Sequence, residues 1–302
     1  TDGSGATYVI QKNDEGGVSI SKAAINVVSA AASIGVGVGL SGAGVAVSGA
    51  GAFSQNIILS NTNAYIQNST IVSADDVLLS AAGDQGISSA IVAASLAVGG
   101  SGKAGVGVAI GASIARNLIG YEWNYTSNPA QVRAYVEDSG IDAEGDLIQN
   151  AVASQTINSA VIAASVGIGA GGNVGVGVAG SGVWSENWIG VDVASFIDGE
   201  FVDGEDTLGI EANNITLWAD DTSAISAFAG AASIAASFAG STAVSVSIGV
   251  SLALNTISSS VESYIADVVQ TGVNADGNIS VTAGESATIH AVSAAAALSL
   301  AI

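Results

Sequence analysis

The chain has 302 residues and a formal net charge of −21, from 26 acidic residues against five basic ones. This charge argues against nucleic acid and anionic membrane surfaces as partners, because both are bound largely through clustered Lys and Arg. The hydrophobic fraction of 49% is mostly Ala, Val and Ile, with 40 Gly and no Cys or Met, which is typical of thin, closely spaced β-layers.

In chain order, the predicted elements recur with spacings of 62, 70, 68 and 64 residues. An apolar run marks each unit, and the runs align at Ser33, Ser95, Ser165, Ser233 and Ala297. A polar doublet opens each unit, as in DDVLLSAA (75–82) and GDLIQNAV (145–152). An aromatic residue before a β-branched one lies near the end of four units, at Tyr65, Tyr135, Phe196 and Tyr264. The repeat predicts approximate units at 1–17 (partial), 18–76, 77–146, 147–214, 215–278 and 279–302 (partial).

Each unit contains two long apolar segments joined by a short Gly/Ser turn. Residues 160–182, AVIAASVGIGAGGNVGVGVAGSG, are long enough for a membrane helix, but Val166, Ile168, Val176 and Val178 alternate with small residues and so share one face of a strand. We therefore expect β-hairpins with turns at 100–103 and 171–173, the latter using positive φ angles, and no membrane-spanning segment.

Charged residues are rare in the long segments and concentrate in the connectors. We therefore expect the strands to be shielded from solvent and the connectors to be exposed to it. A single unit cannot bury both faces of its hairpin, so neighbouring units must stack. The predicted fold class is therefore all-β, a repetitive β-solenoid of stacked hairpin units with open ends.

Asparagine recurs at one phase of the second strand in four units, at Asn56, Asn117, Asn187 and Asn255. Side chains stacked in register predict an amide ladder, in which each amide hydrogen-bonds to the next one. The alternative is that each Asn bonds to its own backbone in a local turn.

The runs GVGVGLSGAGVAVSGAGA (35–52) and AGVGVAIGAS (104–113) and the AYI and GD-I/L marks resemble the Gly/Ala/Val-rich β-solenoid repeats of giant secreted bacterial adhesin-like (haemagglutinin-like) surface proteins. The resemblance covers nearly the whole chain. It implies an extracellular or cell-surface location and a role in adhesion or matrix, and it transfers no catalytic residue.

Candidate catalytic groups are few. His290 is the only His in the sequence. A Ser-His-acid relay would require the fold to bring a Ser and an acidic residue next to it. The carboxylate pairs 75–76, 198/200 and 220–221 resemble acids found in every connector, whereas a glycosidase pair should be unique. We therefore expect no enzyme.

Calcium is the better chemical candidate, because carboxylates on Gly-bearing turns supply the oxygen ligands that Ca²⁺ prefers. Solvated loop acids that keep a β-rich surface soluble are the alternative. The Ca²⁺ candidates are Asp142, Glu144, Asp146, Asp203, Glu205, Asp206 and Asp276.

These observations favour a non-enzymatic structural protein, a segment of an extracellular filament, sheath or giant adhesin. The alternative function is a Ca²⁺- or carbohydrate-binding module of a surface protein. Residues 1–17 resemble the close of a unit and 277–302 its opening, so we expect the chain to continue head to tail, within a longer protein or onto another copy. Carbohydrate or cell-surface contacts are further expected partners.

Overall fold

A computed structural model describes residues 10–12, 18–20, 23–203, 206–268 and 272–302, which form strands and turns only, so the all-β prediction is confirmed. None of these residues belongs to a helix that could cross a membrane. The strands are β1 (Ile10–Lys12), β2 (Val18–Ile20), β3 (Ala23–Gly39), β4 (Ala43–Ile58), β5 (Asn61–Gln67), β6 (Thr70–Ser73), β7 (Val77–Ser101), β8 (Ala104–Ile119), β9 (Ala130–Glu137), β10 (Gly140–Ala143), β11 (Leu147–Gly171), β12 (Val174–Asp198), β13 (Phe201–Asp203), β14 (Asp206–Leu208), β15 (Ile210–Ala212), β16 (Ile215–Asp221), β17 (Ala224–Ala239), β18 (Thr242–Ala266), β19 (Val273–Ala275), β20 (Ile279–Glu285) and β21 (Thr288–Ala301).

Equivalent strands of successive units pair in parallel and in register. Long first arms form one sheet, here called the first-arm sheet, from β3, β7, β11, β16–β17 and β20–β21. Long second arms form the return-arm sheet from β4–β5, β8–β9, β12 and β18, and a short sheet contains β6, β10, β15 and β19. The residues aligned in the sequence pair directly, in the row Ser33, Ser95, Ser165, Ser233 and Ala297.

The two arms of one unit do not form the expected β-hairpin. β11 pairs with β7, β16 and β17, whereas β12 pairs with β8, β9 and β18. The turns fall at 102–103 and 172–173, as predicted, but they join strands in different sheets. The hairpin prediction is therefore wrong in its pairing, because the arms face each other instead of lying side by side.

The predicted positive φ angles at 171–173 are also absent. Left-handed residues lie instead where each second arm ends and turns toward the short sheet, at Asn68, Asp138, Gly199 and Asp267. Asn, Asp and Gly are the residues that adopt this conformation most readily. The sharp corner of each unit is therefore in the connector, and the arm-to-arm turn needs no such conformation.

Glycine lines the narrow space between the two arms near their turn. Gly167, Gly169 and Gly171 face inward from β11, and a Cβ atom on Gly169 would lie 2.0 Å from the carbonyl oxygen of Val176. The two backbones therefore approach more closely than any other residue permits. The predicted face of Val and Ile exists, but it points outward and is partly exposed.

The main hydrophobic core lies at the opposite end of the arms, where the short sheet closes the space between the two long sheets. Large aliphatic side chains are fully buried there, including Leu147, Ile157, Ile197, Ile210 and Ile215. Each unit thus has a wide end with a conventional core and a thin end filled by glycine. The acidic connectors surround the wide end.

Candidate functional site

The four Asn residues lie inside strands β4, β8, β12 and β18, on the inward face of the return-arm sheet. The Nδ2 group of Asn56 donates to Oδ1 of Asn117 at 2.7 Å, Asn117 donates to Asn187 at 2.7 Å, and Asn187 donates to Asn255 at 2.8 Å. Asn117 and Asn187 are completely buried. The structure therefore brings these residues together as an amide ladder, and the local-turn alternative does not describe them.

Serine hydroxyls satisfy the second hydrogen of the inner amides. Nδ2 of Asn117 donates to Oγ of Ser89 at 3.0 Å, and Nδ2 of Asn187 donates to Oγ of Ser185 at 3.2 Å. A buried amide without partners would cost about 1–3 kcal/mol. The Asn and Ser rows therefore form one network that fixes the register of the stacked units.

A second ladder occupies the polar doublets, at the corner where the connector enters the first arm. The carboxylate Oδ1 of Asp76 accepts the backbone N–H of Asp146, Oδ1 of Asp146 accepts that of Asn214, and Oδ1 of Asn214 accepts that of Asn278, at 2.8, 3.0 and 2.9 Å. The doublets were visible in the sequence, but their role was not. The available signal was that each doublet places Asp or Asn, whose short side chain ends in an acceptor oxygen, at the same position of successive units.

Hydrogen bonds from the side chains of Asn214 and Asn213 lower the pKa of Asp146 from its ordinary value of 3.8. The same carboxylate oxygen therefore receives three N–H donors from the next unit. This Ca²⁺ candidate already has a structural role.

The other Ca²⁺ candidates do not converge in the described part of the chain. Asp142, Glu144 and Asp276 are exposed, and no group of three metal-ligating side chains occurs among the described residues. Asp203 and Asp206 are paired backbone partners of β13 and β14. Glu205 lies outside the described residues.

The aromatic marks form a third ladder on the outer face of the return-arm sheet. Tyr65, Tyr135, Phe196 and Tyr264 stack with ring centroids 5.2, 4.8 and 5.0 Å apart and interplanar angles of 11°, 6° and 6°. Burial, followed by nearby carboxylates, raises the pKa of Tyr135 and of Tyr264. Because each inner ring face is covered by its neighbour, this row offers a sugar mainly ring edges.

Residues 120–129, GYEWNYTSNP, form a loop between β8 and β9 where β12 and β18 continue without a break. Gly120 begins the loop with a φ of 73°, and Tyr125 has a φ of 67°. The Tyr125 ring lies 4.9 Å from that of Trp188, and its hydroxyl donates to Oε2 of Glu186 at 2.5 Å.

Arg116 completes this loop anchor. Its guanidinium lies 4.3 Å from the centroid of the Tyr125 ring, and its Nε is 3.2 Å from the Glu186 carboxylate. The nearly buried Glu186 thus has both a cation and a hydroxyl as partners, while Trp123 at the tip is 69% exposed. The repeat pattern did not predict this cluster, although the interruption of the repeat at 120–129 and the aromatic residues concentrated there were available signals.

The candidate catalytic pair 220–221 is divided between the two faces of β16. Asp220 is partly exposed on the outer face, whereas Asp221 is buried on the inner face, so the two carboxylates point in opposite directions. Asp221 instead accepts hydrogen bonds from the hydroxyls of Ser223 and Ser259, each at 2.6 Å. His290 is exposed on the outer face of the first-arm sheet.

A shallow groove of about 420 Å³ crosses the outer face of the first-arm sheet. Ser88, Asn158, Ser226 and His290 form a row of direct strand partners along it, and Phe228 borders the row. Hydroxyl, amide, imidazole and aromatic groups in such a row can hydrogen-bond and stack against a polar ring.

The ladders hold one unit against the next, and the groove carries groups that can bind a small polar molecule. No family model, curated protein or solved structure matches this chain.

Proposed function

We propose that this chain is a non-enzymatic structural protein, a β-solenoid segment of an extracellular filament, sheath or giant adhesin. One observation carries the proposal: the amide, doublet and aromatic rows each bind their own equivalent in the next unit. Amide, carboxylate and aromatic side chains, which bind ligands in many proteins, contact the neighbouring units in this chain. Each unit therefore provides the contacts for another unit of the same kind, and the function of the stack follows from its rigidity and length.

The geometry supports a stiff element. An arm of 25 residues, such as β11, extends about 80 Å, while each further unit adds only about 4.8 Å along the stack. The sharing of Asn, Asp and aromatic side chains between units couples their stability, as in other quasi-one-dimensional repeat proteins. Stacking in this form continues with further units, from the same chain or from a second copy.

End-to-end growth tests this proposal. Asn255 accepts a hydrogen bond from Asn187, and a following unit with Asn at the same phase would accept one from Asn255. We expect wild-type protein to form rods by electron microscopy, with a repeat of about 4.8 Å along the rod. Asn255→Ala should slow their growth, whereas Thr256→Ala, which changes the adjacent outward side chain, should not. Compact particles at every concentration would contradict the proposal.

Carbohydrate binding is the second candidate function, and the groove along Ser88, Asn158 and Ser226 favours it. A linear glycan lying across the strands would meet one polar side chain per strand, about every 4.8 Å. Calorimetric titration with neutral oligosaccharides should show binding that Asn158→Ala weakens and Ser154→Ala leaves unchanged. Ca²⁺ at the connectors remains a prediction, checked by whether a chelator lowers the melting temperature.

A further inference from the structure

The outer face of the first-arm sheet is apolar over the thin half of every arm. On β11 the outward side chains from 160 to 170 are Ala160, Ile162, Ala164, Val166, Ile168 and Ala170. The equivalent positions of β3, β7, β17 and β21 also contain only Ala, Val, Ile, Leu, Phe or Gly. We call this surface the apolar face.

The inward side of the same strands is more polar than the outward side. Hydroxyls of Ser33 and Ser48 meet between the sheets at 2.6 Å, and those of Ser233 and Ser247 meet at 2.7 Å. A sheet whose outer face is solvated would carry polar side chains on that face, and parallel sheets are generally covered on both faces. On the apolar face, Ile162 is nevertheless 40% exposed and Ile234 is 44% exposed.

We propose that the apolar face is an interface at which a second copy of this chain packs face to face, independently of head-to-tail stacking. The face measures about 36 Å by 24 Å, or roughly 850 Å², from strand rise and spacing. A standard stable interface takes about 800 Å² from each partner, while the largest apolar patch of a typical monomer is about 300–600 Å².

The arrangement of side chains supports a two-fold interface. Ala94, Ala164 and Ala232 form part of a row of alanines, beside a parallel row that includes Leu96, Val166 and Ile234. A two-fold axis parallel to the stack, between these rows, superposes the apolar face on itself. It places Val166 of one copy opposite Ala164 of the other, and the reverse. Large side chains thus meet small ones at the centre.

Charge and backbone pairing favour a second copy over a lipid surface. The apolar face has no charged residue, so the acidic connectors oppose association only at a distance. Hydrocarbon would leave the backbone groups at the sheet edges without partners, whereas water reaches those edges in a dimer. Association should therefore strengthen as salt rises from about 0.05 to 0.5 M, because salt screens the acidic groups.

Sedimentation equilibrium of the full chain tests the interface. Ala164→Leu should weaken dimerisation by at least about 100-fold, because a large side chain then meets Val166 at both symmetric contacts. The double variant Ala164→Leu/Val166→Ala should restore it to within about tenfold of wild type, because it exchanges the large and small positions. Ser154→Leu adds the same side chain on the outer face beyond the interface and should have no effect.

Circular dichroism and thermal melting should show that all variants remain folded, since these side chains point outward. Small-angle scattering separates this dimer, which doubles the thickness of the molecule, from head-to-tail growth, which lengthens the stack. A monomer at all salt concentrations would overturn the proposal, as would a dimer that Ala164→Leu leaves intact. Binding of phosphatidylcholine vesicles by wild type and Ala164→Leu alike would assign the face to lipid and also overturn it.

Discussion

Removal of one amide from the centre of the Asn ladder should cost far more stability than its size suggests. Asn187 is completely buried, and its amide takes part in three hydrogen bonds, with Asn117, Asn255 and Ser185. At a net value of about 1 kcal/mol each, their loss in Asn187→Ala amounts to about 3 kcal/mol. Because the entropy of unfolding is about 2.1 cal/mol/K per residue, this corresponds to a fall in melting temperature of roughly 5 °C for a chain of 302 residues.

Urea unfolding followed by tryptophan fluorescence measures this change, because Trp184 and Trp188 flank the ladder in the same strand. Two controls bracket the result. Asp142→Ala removes an exposed connector carboxylate and should change the free energy of unfolding by less than about 0.5 kcal/mol. Asn255→Ala removes one ladder bond and should cost about 1 kcal/mol. Equal costs for Asn187→Ala and Asp142→Ala would refute the ladder as a source of stability.

Three further predictions concern the glycines, the doublet corner and the loop. Gly169→Ala should destabilise the chain by more than about 3 kcal/mol in thermal melts, because the added Cβ would overlap a backbone carbonyl. In the control Gly180→Ala, the added Cβ meets no atom within 4 Å, so this variant should be as stable as wild type or more stable. The lowered pKa of Asp146 contributes stability above the unfolded value of about 3.8 that is lost as pH falls through the folded value, so Asp146→Asn should flatten acid unfolding curves in that range. Tyr125→Phe removes the hydrogen bond to a nearly buried carboxylate and should increase proteolysis within 120–129 while the far-ultraviolet spectrum stays unchanged; resistance equal to wild type would contradict the anchoring role.

The sequence alone determined the elements that depend on local repetition. Side chains alternate with a period of two in any strand, so the alternation in 160–182 was sufficient to predict strands and to exclude a helix. The aligned serines and asparagines predicted which residues would become neighbours, because identical units that stack in register place equivalent residues side by side.

Tertiary structure decided which face of each strand is buried and which strand it pairs with. A period of two defines two faces, but the Val face and the Gly face of β11 are both free of charge, so the local sequence pattern does not show which of the two is buried. The choice depends on the distance between the two arms: glycine permits direct backbone contact, which places the arms face to face and leaves parallel neighbours as the only pairing partners. Likewise, the anchoring of 120–129 depends on Glu186 and Trp188 of the next unit, which become neighbours of Tyr125 only after two units have stacked.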